Sequence, residues 1–562
     1  MKPFKKSVCL IIVILMVLSI AACGSSSTDQ KGNEQVDKVD QGQDAANNND
    51  SKEDEGQDGD IVPQSDLSKR VTITLASIQT TEGYDYTSGD DFAKFYSEKF
   101  NYDLEVTALN WSNWHERLNI WINSGDMPDV CVYDYKHAEA ASYVEQGLLY
   151  RLPDDWKNRW PNVAKVFEVT QLGPEMEKRF DGTYFLPRAR FYKNLINDPD
   201  EPVPDHFSLY MRKDWAEAVD FPIKSTYKIS EVLEFAKKIK ESDPGNLGDK
   251  LIPIAQAPSS AVRLFVGSNS TYYNGFYKDK DGTYKWGATS QETLEGLKMY
   301  AEAYQSGLLD PEFYTLQQND DTRQFDTQGI AACNFGEAPT AALPRVFITN
   351  FQGNVGLDPF ESINVATVLG EDGYFHQQDL INYWGTIIFS PNIEEEKFER
   401  WMDVLEFNAS QDGSIFASMG LKDVDWEYDS EGNIVSLHDI TKQPLGGPDG
   451  KYPSMGYTLG VIILHDDFAF DNPNNDEKLR ELSRVLYTER CEIATPDTFT
   501  KVDWDLFCFD SPNMRKVQFD YDTELTNLIT MGGDIEQNWK DWIESKMPMI
   551  QPVLDELNST LN

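Results

Sequence analysis

Apolar residues between positions 71 and 133 alternate between the period of a strand and the period of a helix. Residues 71–75 alternate apolar with polar side chains, residues 92–100 have helical spacing, and residues 104–106 are again strand-like. A helical pattern over residues 114–123 and an apolar strand over residues 129–133 follow. Strand, helix, strand, helix, strand is the order of a parallel sheet with crossover helices, so the sequence predicts an α/β fold.

The length and the charge of the chain limit its architecture and its partners. A chain of 562 residues exceeds what one hydrophobic core usually supports, which predicts two lobes. The formal net charge is −44. A surface this acidic repels phosphate groups, so nucleic acid is excluded as a partner and direct adsorption to anionic lipid is unfavourable.

Residues 1–22 have the pattern of an export signal. Lysines at positions 2, 5 and 6 precede an apolar run over residues 8–20, which is shorter than the roughly 20 residues needed to span a bilayer. Cys23 follows Ala21 and Ala22, an arrangement that resembles the bacterial lipobox. The resemblance implies cleavage before Cys23 and attachment of diacylglycerol and an acyl chain such as palmitate. An ordinary signal peptide with an incidental cysteine is the alternative.

Residues 23–69 are rich in Ser, Asp, Gln, Asn, Gly and Glu and contain few apolar side chains. Such a segment cannot offset its conformational entropy by burying apolar surface. We therefore expect a disordered, acidic tether between the lipid on Cys23 and the folded body. The expected location is the outer face of the cytoplasmic membrane of a Gram-positive bacterium.

Short motifs along the whole body occur in the order of one known family. They read NSGDMPD at 123–129, YVEQGLL at 143–149, DGTYFLPR at 181–188, LYMRKDW at 209–215, GLLDPE at 307–312, GIAAC at 329–333 and YWGTI at 383–387. The chain thereby resembles extracellular solute-binding protein family 1, in the large lipoprotein branch of carbohydrate ABC importers.

The resemblance implies a periplasmic-binding-protein-like (type II) fold of two discontinuous lobes joined by a hinge. The first lobe would comprise residues 70–215 and 385–470, and the second lobe residues 216–384. Residues 471–562 would form a C-terminal helical segment that returns to the second lobe. The chain would cross between the lobes near residues 213–222 and again near residues 383–390.

The same resemblance implies a monomeric binding protein that passes an oligosaccharide to a two-subunit ABC permease. The six histidines are scattered, and no HExxH, G-x-S-x-G or P-loop pattern occurs in the sequence. The lack of these catalytic motifs favours a binding role. The chain is therefore predicted not to be an enzyme. A secreted glycosidase or lyase, a peptide receptor, and a receptor that reports to a membrane sensor are the alternatives.

Sugar sites combine flat aromatic faces with planar polar groups. Candidates of both kinds fall where the resemblance places loops that face the cleft, and each could instead pack in the core or pair with a carboxylate. The candidate ligand-binding residues are Tyr84, Tyr86, Trp111, Trp114, Arg188, Arg190, Tyr383, Trp384 and Trp426.

No cofactor is required by these motifs, but some relatives in the family carry a calcium loop after the corresponding helix. The matching stretch here offers Asp243, Asn246 and Asp249 as oxygen donors, fewer than the six to eight that calcium prefers. A structural calcium is therefore a candidate only. Cys491 and Cys508 could form a disulfide in an oxidising exterior or could be two free thiols.

Overall fold

The computed structural model describes residues 61–561 apart from residues 79, 111–113, 190–206, 318, 338–342, 344, 379–381, 439–442, 444, 448–449, 458–460, 466–471, 494–498 and 501. Its strands are β1 Val71–Ile78, β2 Tyr102–Leu109, β3 Val130–Tyr133, β4 Leu186–Ala189, β5 Phe207–Arg212, β6 Thr226–Lys228, β7 Ile252–Ala255, β8 Phe276–Lys278, β9 Tyr284–Trp286, β10 Ala331–Glu337, β11 Ile363–Leu369, β12 Gln377–Gln378, β13 Tyr383–Phe389, β14 Trp426–Tyr428, β15 Ile434–Ser436 and β16 Phe499–Thr500.

Its α-helices are α1 Asp91–Lys99, α2 Trp114–Ser124, α3 His137–Glu145, α4 Trp156–Arg159, α5 Pro161–Val169, α6 Leu172–Phe180, α7 Lys213–Ala218, α8 Ile229–Ser242, α9 Pro258–Val262, α10 Gln291–Gln305, α11 Asp320–Asp326, α12 Pro359–Ser362, α13 Glu395–Asn408, α14 Gln411–Met419, α15 Glu477–Ile493, α16 Trp504–Phe507, α17 Tyr521–Thr530 and α18 Ile535–Thr560. None of the helices in the described ranges is both long and apolar enough to cross a bilayer.

Two five-stranded sheets organise the fold. The first sheet has the order β2-β1-β3-β13-β4, in which β1 pairs in parallel with β2 and β3, whereas β13 pairs antiparallel with β3 and β4. The second sheet has the order β6-β11-β5-β10-β7, with β5 antiparallel to both of its neighbours. This architecture confirms the predicted α/β fold of two discontinuous lobes.

The strand and helix order predicted for residues 71–133 is confirmed as β1, α1, β2, α2 and β3. The apolar faces of these elements fill one large core, which also receives residues from α13 and from Val461, Ile462 and Ile463. A second large core lies on the other sheet and includes the C-terminal helices α17 and α18. Leu479 and Leu486 of α15 join a smaller core on that same sheet.

The first change of sheet comes earlier than the sequence predicts. Strand β5 lies in the middle of the second sheet, hydrogen-bonded to both β10 and β11, although residues 207–212 were expected in the first lobe. The chain therefore changes sheet between Ala189 and Phe207, not near residues 213–222. A strand's own sequence does not reveal which distant strands it pairs with, which is the physical reason for the difference.

Candidate functional site

The chain passes between the two sheets at one end of the strands of each sheet. This row of strand ends is called the edge of the sheet. Strand β4 ends at Ala189 beside the start of β13 at Tyr383, and the two residues are paired. In the second sheet, β5 begins at Phe207 on the edge where β11 ends at Leu369. Along the chain, residues 190–206 and 370–382 thus join the same two edges. Strands β1, β2 and β3 also end at the first edge, where ligands of open α/β sheets bind.

Two candidate aromatic residues begin β13 at this edge. The pairing of β13 with β4 is irregular between Tyr383 and Thr386, and Gly385 has a φ of 69° within that irregularity. Glycine adopts a positive φ without steric cost, and a bulge redirects the side chains beside it. Tyr383 and Trp384 are both left half-buried, whereas the rest of the strand is buried.

Three predicted site residues from distant parts of the chain meet at this bulge. The ring centroids of Trp114 and Trp384 are 6.2 Å apart with an interplanar angle of 25°. The guanidinium carbon of Arg188 lies 5.8 Å from the centroid of the Trp384 ring. The Nε of Arg188 donates to the carbonyl oxygen of Ile462 at 2.9 Å, which fixes the guanidinium plane. The result is a stacked aromatic pair in which Trp114 is buried with 4% exposure and Trp384 is half-buried, with a cation beside Trp384.

Two polar residues that were not among the candidates lie at the same edge. His115 follows Trp114, and its Nε2 is 3.6 Å from an oxygen of Asp134, which follows the end of β3. Burial lowers the pKa of His115, although Asp134 acts in the opposite direction. Burial, together with the charge of Asp134, raises the pKa of Tyr383. The position of Asp134 directly after β3 was a signal that sequence reasoning could have used, whereas His115 lies within the first turn of α2.

Tyr84 and Tyr86 occupy the loop after β1, and the structure gives them different surroundings. The half-buried Tyr84 donates its hydroxyl proton to Asp90 Oδ2 at 2.8 Å, and burial together with this bond raises its pKa. Tyr86 is 2% exposed, and its hydroxyl oxygen accepts the N–H of Thr81 at 2.8 Å. Tyr86 therefore packs in the core and holds the loop, while Tyr84 keeps an accessible face.

Trp426 is not part of the aromatic pair. It packs with Ile415 and Met419 in a separate small cluster, and its indole N–H donates to the carbonyl of Gly420 at 3.0 Å. Its exposed fraction of 5% is close to the 4% of Trp114, so the two residues differ in the neighbours they contact and not in their burial. The candidates Trp111, Arg190 and Cys23 lie outside the described residues.

The second crossing is fixed at both of its ends. On the second-lobe side, the N–H of Glu371 donates to Asn269, and Lys228 donates to the carbonyl of Glu371. On the first-lobe side, buried Asn382 donates to the carbonyl of Val169 at 2.7 Å. The two ends of this crossing are thus held by different lobes.

Residues 503–509 contact both lobes. Asp503 accepts a hydrogen bond from the hydroxyl of Tyr284 in the second lobe at 2.9 Å. Asp505 accepts a hydrogen bond from Arg179 in the first lobe, also at 2.9 Å. The ring of Phe507 stacks on Tyr135 of the first lobe, with centroids 6.1 Å apart. Leu506 and Phe509 pack against the second core. No disulfide joins Cys508 to Cys491.

The loop expected to bind calcium satisfies its carboxylate internally. The two oxygens of Asp243 accept the N–H groups of Leu247 and Gly248 at 2.9 and 2.8 Å. Asp243 and Asn246 have φ values of 39° and 50°, so the loop closes tightly on itself. Within the part of the chain that the structure covers, no group of three or more His, Cys, Asp or Glu residues could hold a metal. Both oxygens of Asp243 thus already accept hydrogen bonds within the loop.

Comparison with solved structures identifies proteins that share this fold. The alginate-binding protein AlgQ2 without calcium matches with a TM-score of 0.60 and 17% identity, over 86% of this chain and 96% of that one. An extracellular solute-binding protein from Bifidobacterium longum subsp. infantis matches with a TM-score of 0.63 and 15% identity, over 87% and 98%. The ABC-transporter substrate-binding protein FusA of S. pneumoniae, in complex with kestose, matches with a TM-score of 0.59 and 15% identity, over 86% and 97%.

The fold is that of two-lobe solute-binding proteins. Among curated proteins, Lipoprotein LipO of Bacillus subtilis (strain 168) is 22% identical over 224 residues, which cover 38% of this chain and 39% of LipO. No family model matches the chain.

Proposed function

We propose that this protein is a lipid-anchored extracellular receptor that captures an oligosaccharide between its lobes and delivers it to an ABC permease. The stacked pair of Trp114 and Trp384 with Arg188 beside it is the observation that carries the proposal. Indole faces suit the C–H side of a sugar ring, and a guanidinium group donates hydrogen bonds to hydroxyl groups. The structures that share this fold include an alginate-binding protein and an ABC-transporter protein bound to kestose, which supports a saccharide ligand.

Ligand capture in this account depends on closure of the lobes. A ligand shifts the population toward a closed state only if it binds that state more tightly, which requires contacts with both lobes. The facing sheet edges supply such contacts, with the aromatic pair on the first edge. The residues between Glu371 and Asn382 act as one hinge, since each end is tied to a different lobe.

The lipid anchor belongs to Cys23. The curated relative LipO is named as a lipoprotein, which supports this part of the proposal. One acyl chain holds a protein to a membrane only marginally, so diacylglycerol and a further acyl chain are expected to hold it durably. A Cys23→Ala variant should be released from membranes in fractionation, whereas Cys9→Ala should not change fractionation. Retention of Cys23→Ala on the membrane would contradict lipid anchoring at this residue.

The receptor role is tested by a thermal-shift screen against neutral and acidic oligosaccharides. The soluble form used should begin before Ile61, because Gln64 and Ser65 are hydrogen-bonded into the first lobe. A ligand at 100 times its Kd stabilises the folded state by about 2.7 kcal/mol, which gives a clear rise in Tm. The expected result is a rise with one saccharide class, with the sugar recovered intact by chromatography. Hydrolysis or elimination of the sugar would instead show an enzyme.

A further inference from the structure

Gln256 is a buried amide without a partner at the lobe-facing edge of the second sheet. It directly follows β7, whose residue Ala255 pairs with Asn334 of the parallel strand β10. Strand β10 ends opposite Phe207, where the first crossing enters the sheet. Gln256 is 0% exposed, and within the described chain neither its Oε1 nor its Nε2 has a hydrogen-bond partner.

Polar groups of the residues next to Gln256 in the chain and in the sheet are hydrogen-bonded within the protein. Asn334 Nδ2 donates to the carbonyl oxygen of Ala255 at 2.9 Å. The N–H of Ala257 donates to Asp321 at 3.0 Å and to Ser260 at 3.1 Å. The backbone on both sides of Gln256 is thus held in place, whereas the side-chain amide of Gln256 has no hydrogen-bond partner among the described residues. An apolar side chain of similar length would fill the same volume without burying two unpaired polar atoms, so the glutamine carries a cost in stability.

We propose that Gln256 is the second lobe's hydrogen-bonding contact with the bound oligosaccharide. A carboxamide presents one acceptor and two donors in a plane, which matches two adjacent hydroxyl groups of a sugar ring. The amide is uncharged, so this contact selects vicinal hydroxyl groups and not a carboxylate. The first lobe holds the ring face on Trp114 and Trp384 while Gln256 binds the hydroxyl edge from the opposite side.

This arrangement explains how one ligand could favour closure. The aromatic pair and Gln256 belong to different sheets, so a sugar that contacts both must bridge the lobes. Opening would expose the amide to water, and closure without a ligand would leave it unpaired. The closed state without ligand therefore carries the free-energy cost of an unpaired buried amide, and the closed state with ligand does not.

The inference rests on the proposed saccharide function and is tested by Gln256→Met. Methionine preserves the length of the side chain and removes both polar atoms. The matched control is Gln324→Met, a second buried glutamine of the same lobe, whose Nε2 donates to Asp310 at 2.9 Å and whose Oε1 alone has no partner within the described residues. Tm without ligand and Kd for the saccharide found in the screen are measured for both variants and for the unsubstituted protein.

Gln256→Met should keep or raise the Tm without ligand and raise Kd by about 10- to 100-fold, which is the size expected for lost hydrogen bonds that leave polar groups unpaired. Gln324→Met should lower Tm and leave Kd unchanged. An unchanged Kd in Gln256→Met overturns the inference while the saccharide function stands. A lower Tm without ligand in Gln256→Met also overturns it, because the amide would then be satisfied in the unliganded protein. Absence of saccharide binding by the unsubstituted protein overturns both the proposed saccharide function and the role of Gln256.

Discussion

The indole rings of Trp114 and Trp384 lie 6.2 Å apart at an angle of 25°, although one begins a helix and the other follows the first residue of a strand. The loop after β2 brings Trp114 to the edge, and the bulge at Gly385 brings Trp384 beside it. The pair therefore depends on two separate connections that meet at the carboxyl ends of parallel strands. Such a junction is where the fold can present aromatic faces to a ligand.

Replacing Trp384 by alanine is expected to raise Kd for the oligosaccharide by about 10- to 100-fold. Burial of an aromatic face contributes roughly 1.5–3 kcal/mol, and each 1.4 kcal/mol changes affinity tenfold. Trp121→Ala is the control, because Trp121 is also partly buried against the first core but is stacked with Arg117. Calorimetric titration measures both variants. Equal affinities of the two variants for the oligosaccharide would show that the aromatic pair does not contact the ligand.

Arg400 and Asp403 hold the start of the folded body against α13, and their loss is expected to be strongly destabilising. Arg400 is 0% exposed and donates at 2.7 Å to the carbonyls of Asp66, Phe100 and Asn101, while buried Asp403 accepts the N–H groups of Gln64 and Ser65. Burial lowers the pKa of Arg400, which reflects the cost of holding this charge inside the protein.

Arg400→Met should lower the free energy of unfolding by about 3–5 kcal/mol, because it leaves the carbonyls of Asp66, Phe100 and Asn101 without their buried donor. The control Arg323→Met removes an exposed partner of Asp320 and should cost less than about 1 kcal/mol. Urea-induced unfolding compares the two variants. A loss of similar size in both would show that the buried guanidinium of Arg400 contributes no more to stability than the exposed one of Arg323.

Protonation of His137 should destabilise the contact between the first lobe and residues 503–509. Its Nδ1 is 2.9 Å from the hydroxyl of Tyr135, and its ring stacks on Phe180. Burial and the charge of Arg179 lower its pKa from 6.5, while Asp510 acts to raise it. Since the unfolded chain binds this proton more readily, stability should be present above pH 6.5 and should fall as pH decreases through 6.5 toward the lowered pKa.

The measurement is Tm against pH for the unsubstituted protein and for His137→Gln. The difference between the two curves should change between about pH 7.5 and pH 5.5, with the unsubstituted protein losing more stability, whereas carboxylates common to both cancel. Parallel curves would mean that His137 takes up its proton equally well in the folded protein.

The loop at Asp243 is expected to keep its shape without calcium. Its carboxylate already accepts two backbone N–H groups, so Asp243→Ala should lower the free energy of unfolding by about 1 kcal/mol, as loss of a capping side chain usually does. Scanning calorimetry with calcium and with a chelator should give the same Tm for the unsubstituted protein. A higher Tm with calcium that Asp243→Ala abolishes would show that the loop binds the ion.

The sequence was most informative where periodicity is local. The α/β order of residues 71–133 was predictable, because each strand and helix carries its own apolar pattern. The lobe to which residues 207–212 belong was not predictable. These residues join the second sheet by pairing with β10 and β11, which lie more than a hundred residues further along the chain.

Site residues were harder to predict than the fold. Residue type, together with the loops that the family resemblance places at the cleft, could select Trp114, Arg188 and Trp384 as candidates, but only the tertiary structure brings them together. The same criteria selected Trp426, which packs in its own cluster, because burial of an aromatic side chain is not visible in its local sequence. Gln256 was not selected, since an unpaired amide is recognised only from its surroundings.

Hydrogen–deuterium exchange with and without the saccharide is the most direct test of a site between the lobes. The account predicts that ligand slows exchange on both facing edges, in the first turns of α2 and the start of β13 and also in residues 256–262 of the second lobe. Protection of peptides from a single lobe, or protection confined to surfaces away from these edges, would contradict a ligand held between the two sheets.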